Sequence, residues 1–140
     1  MSGVWMLDTR RRHMLFFGLG FATFAAGLLL QVLELLPSLN AAVFTATALY
    51  LLAGLFFCEA VMLRLDKQFS PFAGASISVL TLTVIGYLAQ VGADYKYMAV
   101  ASNFGLGAMI ATLCLQSRAL MQGKWIERTL HGFLTILAAH

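Results

Sequence analysis

Charge is the scarcest property of this chain. Only 11% of its 140 residues are Asp, Glu, Lys or Arg, whereas 61% are hydrophobic, and the mean hydropathy is +0.85. So few charged groups leave too little polar surface to solvate a globular protein of this length. The composition therefore excludes an ordinary soluble domain and predicts that lipid covers most of the surface.

The chain also has few residues that bind metals or perform covalent chemistry. Cys58 and Cys114 are its two cysteines, and no CxxC or HExxH spacing indicates a metal site. No nucleophile, acid and base occur at a spacing typical of catalysis, so we predict no enzymatic activity for these residues. We interpret both cysteines as small apolar core residues, because they lie toward the helix ends predicted to face the reducing cytoplasm.

Four apolar segments are long enough to cross a bilayer. A spanning helix needs about 20 mostly apolar residues, and segments 14–36, 39–63, 69–91 and 97–115 meet this requirement. Lipid offers the backbone no hydrogen-bond partners, so spanning segments of this kind are helices. The predicted fold is all-α, a polytopic membrane helix bundle that forms a single domain, and its short connections make sequential helices antiparallel neighbours.

Segment 125–140 is a fifth predicted helix with two interpretations. At 1.5 Å per residue it is about 24 Å long, short of the roughly 30 Å hydrocarbon core. It is either an amphipathic helix that lies in the membrane interface or a fifth span that is truncated. We favour truncation, because the closing run Leu-Thr-Ile-Leu-Ala-Ala has no cap, charge or interfacial aromatic residue.

The basic residues cluster on one side of the predicted bundle. Of the nine Lys and Arg residues, all but Lys96 fall on this side: Arg10, Arg11, Arg12, Arg64, Lys67, Arg118, Lys124 and Arg128. The positive-inside rule then places the N-terminus in the cytoplasm. The net charge of +3 arises from these juxtamembrane clusters, which favour anionic lipid head groups, so we predict the lipid bilayer and no nucleic acid as a partner.

Polar side chains on the opposite, outer side form a candidate ligand site. They belong to the first, third and fourth predicted helices, and pairs of them share a helix face through i, i+3 spacing. The candidates are Gln31, Glu34, Tyr87, Gln90, Tyr97 and Asn103. We predict that they line one pocket with apolar walls, which suits a small, unidentified ligand. Interhelical hydrogen bonds and an aromatic belt explain the same pattern.

Two ionisable residues are predicted inside apolar segments, where such groups are costly and often functional. Glu59 lies about one turn from the cytoplasmic end of the second helix. We expect it to pair with Arg64, Arg118 or Arg128, and proton transfer is the alternative. His131 is the candidate for haem ligation, but a membrane haem commonly takes two histidines from different helices at matched depth. No such pair is present, and we predict no cofactor.

Small residues spaced by four predict close helix packing. They are Gly18, Ala22 and Ala26 on the first helix, and Ala101, Gly105, Gly107 and Ala111 on the fourth. We expect contacts within one bundle, and a homodimer through these faces is the alternative.

The segment 118–140, RALMQGKWIERTLHGFLTILAAH, together with the N-in bundle, resembles the membrane input region of bacterial GGDEF-type diguanylate cyclases. Such proteins typically have several membrane helices, often six, before a catalytic domain that makes cyclic di-GMP from two GTP molecules. The GGDEF motif and its metal-binding carboxylates are absent from this sequence, so no catalytic residue is carried over. The resemblance implies a bacterial inner membrane location and a sensory or anchoring role in signal transduction, in which a ligand or the membrane state changes helix packing.

Two other functions are open at this point. A small transporter or channel needs polar positions near the middle of the membrane. The predicted middle of this bundle is mostly apolar, and its weakly polar residues are Thr45, Thr47 and Thr81. An accessory subunit of a membrane complex is the third possibility, and co-purification with a partner protein would identify it.

Overall fold

The computed structural model contains helices and no strand in the part of the chain that it describes. It describes the backbone of residues 2–33, 38–65, 67–117 and 132, with side chains from Arg12 onward. In chain order the helices are α1 (Ser2–Val32), α2 (Leu39–Arg64), α3 (Pro71–Gln90) and α4 (Tyr95–Gln116).

Each of these helices contains a stretch long and apolar enough to cross a membrane. The stretch is Arg12–Val32 in α1 and covers the whole of α2, α3 and α4. The prediction of an all-α bundle with four candidate spans is therefore confirmed. The predicted fifth helix, 125–140, lies outside the described residues apart from residue 132.

The helix ends follow local capping chemistry. Ser38 precedes α2 and accepts a hydrogen bond from the Ala41 amide, while Ser70 precedes α3 and accepts one from the Ala73 amide. Pro71 occupies the first turn of α3, where its missing amide costs nothing. With this cap, α3 begins at Pro71, two residues after the start at residue 69 that the apolar pattern predicted. α1 starts much earlier, at Ser2 rather than residue 14, because arginine and leucine are good helix formers outside the apolar window too.

The helices pack in the antiparallel order that the short connections predict. α2 is central, because it contacts α1, α3 and α4, and α3 also contacts α4. Along α1 and α2, Phe16 faces Phe56 and Phe24 faces Tyr50, so one helix ascends as the other descends. Within the described ranges, α1 contacts the backbone of α2 alone. Among the described helices α1 is therefore attached to α2 alone, and most of the residues in its apolar stretch are not buried.

Two apolar clusters hold α2, α3 and α4 together. The larger lies toward the end of the bundle that carries Arg64 and Lys67, which we call the basic end. It is built from Leu51, Cys58, Val61, Met62, Phe69, Met109 and Leu113. The smaller lies at the opposite end, the outer end, and contains Val43, Ile85 and Met98. Cys58, only 2% exposed, is thus a core residue as predicted.

The small residues of α1 do not pack as predicted. Gly18, Ala22 and Ala26 are exposed, and a Cβ added at Gly18 would meet nothing within 4 Å. α1 instead approaches α2 through Gly20 and Gly27, which are buried. The prediction of bundle contacts for the Gly18 stripe is wrong, because an apolar helix in a membrane gives no sequence contrast between its packed and lipid faces.

Close packing on α4 is confirmed at one of the predicted positions. Gly105 is buried, and a Cβ added there would overlap the side chain of Thr81 on α3. The absence of a side chain at Gly105 therefore allows α3 and α4 to approach each other.

Candidate functional site

A cavity of about 370 Å³ lies between α1, α2 and α4 in the outer half of the bundle. Its walls comprise Phe24 and Gln31 of α1, Val43, Thr47 and Tyr50 of α2, and Tyr95, Ala99, Ser102, Asn103 and Leu106 of α4. Residues 95 to 106 of α4 rise about 16 Å along the helix axis at 1.5 Å per residue. The cavity therefore extends from the outer end to about the middle of α4.

Helix periodicity explains which α4 residues line this cavity. Tyr95, Ala99, Ser102 and Leu106 follow i, i+4, i+7, i+11 spacing, which keeps side chains on one helix face. Asn103 lies beside this row, eight residues after Tyr95. One face of α4 thus supplies a hydroxyl group, a phenol and a carboxamide to the same cavity.

The cavity has an exposed rim and a buried floor. Gln31, Tyr95 and Asn103 are exposed, whereas Thr47 is 2% exposed and Ser102 8%. α1 and α4 both line the cavity, although their described backbones do not contact each other. The described parts of these two helices thus leave a gap beside the cavity.

The α1 wall is held by one hydrogen bond and one ring contact. The Tyr50 hydroxyl group donates to Oε1 of Gln31 at 2.9 Å. The ring of Tyr50 also lies 5.2 Å, centroid to centroid, from the ring of Phe24, tilted by 42°. Tyr50 therefore contacts α1 through both its polar and its apolar parts, within the wall of the cavity.

Two hydroxyl groups at the floor have no hydrogen-bond partner among the described residues. Thr47 and Ser102 form no such bond there, although both are more than nine-tenths buried. Elsewhere in the bundle a helical hydroxyl group commonly donates to the carbonyl oxygen four residues earlier, as Thr81, Thr83 and Thr112 do. A buried hydroxyl group without a partner costs free energy. The floor can thus hydrogen-bond to a polar atom that the described residues do not supply.

The structure brings together only part of the predicted outer cluster. Gln31 and Asn103 line the cavity. Tyr87, Gln90 and Tyr97 are exposed and do not line it. α3 contributes nothing to the lining, because it packs against α2 and α4 and not against α1. Glu34 and His131 lie outside the described residues.

The sequence pattern contained a signal for the residues that the prediction missed. Thr47 and Tyr50 are three apart on an otherwise apolar stretch of α2, and Ser102 is adjacent to Asn103. Thr47 and Tyr50 share a helix face, and polar groups paired in this way indicate a polar contact with an adjoining helix. Only the fold shows which helix adjoins that face.

Glu59 has a partner that the sequence analysis did not predict. Its Oε2 accepts a hydrogen bond from the backbone amide of Phe69 at 2.9 Å. Nearby, Oε1 of Gln116 accepts one from the amide of Ser70 at 3.2 Å. Within the described ranges Glu59 makes no ion pair with Arg64, and the expected partners at 118 and 128 lie outside those ranges. Both side chains anchor the connection between α2 and α3 at the basic end, where the first turn of α3 exposes unpaired amides.

In the part of the chain that the structure describes, no three His, Cys, Asp or Glu side chains lie close enough together to hold a metal ion. Among the described residues that line the cavity, none is Asp, Glu, His, Lys or Arg. The described lining therefore offers neutral hydrogen bonding and aromatic contact.

Comparison with protein-family models, with curated proteins and with solved structures found no match for this chain. The function of the cavity is therefore inferred from its own residues and geometry.

Proposed function

We propose that the chain is the membrane-embedded input region of a bacterial signalling protein, in which a small ligand binds in the cavity between α1, α2 and α4. The observation that carries the proposal is the asymmetry of the bundle. The polar residues that line the cavity lie in the outer half of the bundle, and the apolar cluster that includes Leu51, Met109 and Leu113 lies toward the basic end. A cavity that adjoins an apolar core suits binding better than passage.

The attachment of α1 supplies the link between ligand and signal. α1 packs on α2 alone among the described helices, while the cavity is lined by α1 on one side and α4 on the other. A ligand that contacts Gln31 and Asn103 together favours the arrangement in which these helices are close. Ligand binding then changes the position of α1, and with it whatever α1 contacts on the cytoplasmic side.

The signalling partner that we propose is a diguanylate cyclase domain of the GGDEF type. The support is the resemblance of residues 118–140 and the distribution of basic residues, which favours a cytoplasmic N-terminus. In this arrangement the chain lies in the bacterial inner membrane and controls how two cyclase domains meet. The two other candidates are a small transporter and an accessory subunit of a membrane complex.

The reading frame in the source DNA beyond the codon for His140 is the first test. A continuation through further helices into a GGDEF sequence supports the cyclase proposal. A stop codon directly after this position contradicts it and favours the carrier or the accessory subunit.

Cyclic di-GMP measurements on cells that produce the complete protein form the second test. We expect Gln31→Ala to change the output several-fold, because it removes the α1 contact with the ligand and with Tyr50. Gln90→Ala is the matched control, since Gln90 is an exposed glutamine that does not line the cavity. Equal output from both variants and the wild type would refute the site assignment. Ion or solute flux in proteoliposomes that disappears with Asn103→Ala would favour the transporter.

A further inference from the structure

We infer that the cavity binds the ring of a membrane-soluble quinone, held by the hydroxyl groups of Thr47 and Ser102. This inference names the ligand class of the proposed input site and rests on that site. Its first support is the pair of buried hydroxyl groups, because each has a donor hydrogen and forms no hydrogen bond with the described residues. Carbonyl oxygens are the acceptors that such donors need.

The absence of charge among the described lining residues defines the ligand further. None of the described side chains that line the cavity is Asp, Glu, His, Lys or Arg. An anion or a cation placed on its floor would lose its hydration without gaining a counter-charge, which is strongly unfavourable. The ligand is therefore neutral, and its oxygens act as hydrogen-bond acceptors.

The aromatic walls favour a flat ring. Phe24, Tyr50 and Tyr95 all line the cavity, and aromatic rings pack favourably against other flat π-systems at offset or edge-on angles. The volume of about 370 Å³ lies near the lower end of small-molecule sites, which span roughly 300–1,000 Å³. One substituted ring fits this space.

The gap between the described parts of α1 and α4 suits a ligand that comes from the membrane. The described backbones of these helices do not contact each other, and Phe24 and Leu28 of α1 are exposed and apolar. An apolar tail can leave the cavity through this gap and remain in lipid while the ring reaches the floor. The quinone binds intact, and no electron transfer is part of the inference.

Equilibrium binding of decylubiquinone to the full chain in lipid nanodiscs tests the inference. We expect saturable binding, with Kd raised about fivefold by Thr47→Val and by Ser102→Ala, because each removes one hydrogen bond. The carbonyl stretching band of the bound quinone should shift to lower frequency, and each variant should partly reverse this shift. Thr83→Val is the matched control, since Thr83 is an exposed threonine of α3 outside the cavity lining.

Thermal unfolding of the ligand-free variants distinguishes loss of binding from loss of folding. Thr47→Val replaces an unpartnered buried hydroxyl group with a methyl group of similar volume, so we expect its unfolding temperature to equal or exceed that of the wild type. Weaker binding by a variant that is equally or more stable supports the inference. Unchanged Kd in both floor variants, or no saturable binding, overturns it.

Two further outcomes separate this inference from the proposed function. Saturable binding of decyltrimethylammonium without binding of the quinone would replace the neutral ligand with a cation held by the aromatic rings. The inference would then be wrong, while a sensory role for the cavity would stand. Quinone binding that leaves the cyclic di-GMP output unchanged would keep the inference and refute the proposed function.

Discussion

Replacing Gly27 with alanine should loosen α1 from α2. A Cβ atom at this position would lie 2.7 Å from Cε1 and 3.1 Å from Cδ1 of Tyr50, and 3.4 Å from Cβ of Leu49. The ring of Tyr50 cannot move away without cost, because it also contacts Phe24 and its hydroxyl group donates to Gln31. The substitution therefore either strains the interface or breaks both contacts.

The expected loss of stability follows from these contacts. Overpacking in a well-packed interface costs about 1–3 kcal/mol, and an interhelical hydrogen bond within a membrane contributes on the order of 0.6 kcal/mol. We expect Gly27→Ala to lower the free energy of unfolding by about 2 kcal/mol. Since Tyr50 also lines the cavity, ligand-induced stabilisation should decrease in the same variant.

Thermal unfolding in a mild detergent, with and without ligand, measures both effects, and two glycines of α1 provide a graded comparison. Gly18→Ala adds a Cβ with nothing within 4 Å, while Gly20→Ala adds one at 3.0–3.1 Å from the ring of Phe57. We expect no loss of stability at Gly18, a moderate loss at Gly20 and the largest at Gly27. A Gly27→Ala protein as stable as Gly18→Ala would refute this account of how α1 packs.

Three other predictions concern the remaining contacts. Gly105→Ala should destabilise the bundle by about 2 kcal/mol in thermal unfolding, because its Cβ would lie 2.6 Å from Cγ2 of Thr81. Gly86→Ala is the control and should have little effect, because its Cβ would meet one atom at 3.8 Å. Equal effects of the two substitutions would contradict the packing of α3 on α4. Glu59→Ala should lower stability by about 1–2 kcal/mol through loss of the bond to the Phe69 amide, and Glu59→Gln, which retains an acceptor oxygen, should recover most of it unless the charge itself is required. If the N-terminus is cytoplasmic, as the basic residues predict, green fluorescent protein fused to it should fluoresce and alkaline phosphatase fused to it should be inactive. The reverse pattern would show that the predicted orientation is wrong.

The existence of the four helices could be predicted from length and apolarity, but their packed faces could not. Apolar runs of about 20 residues admit few alternatives in lipid, and Ser38 and Ser70 mark helix starts by ordinary capping. On α1, however, Gly18 and Gly20 look equivalent in the sequence, and only Gly20 is buried. The hydrophobic pattern that separates core from surface in water carries no such contrast in a membrane.

The candidate site could be predicted in part for a related reason. Gln31 and Asn103 are polar groups in apolar helices, and such groups are costly wherever they lie, so their selection did not depend on the fold. Tyr87 and Gln90 satisfy the same criterion but occupy α3, which does not adjoin α1. Thr47 has a small hydroxyl group, which helices usually satisfy internally. Thr47 became a candidate only when the structure showed that its hydroxyl group lines the cavity and forms no hydrogen bond with the described residues.

The positions of these groups determine whether ligand binding can produce a signal. A ligand held by α4 alone would bind equally well whether α1 is close or distant, and it would shift no equilibrium however tight its binding. A ligand that reaches the floor beside Thr47 and Ser102 while contacting Gln31 binds more tightly when α1 is close. Each tenfold difference in affinity between the two arrangements corresponds to about 1.4 kcal/mol, comparable to the interhelical contacts of Tyr50 that hold this part of α1. An energy of this size is sufficient to change the packing of a helix that, among the described helices, is attached to α2 alone.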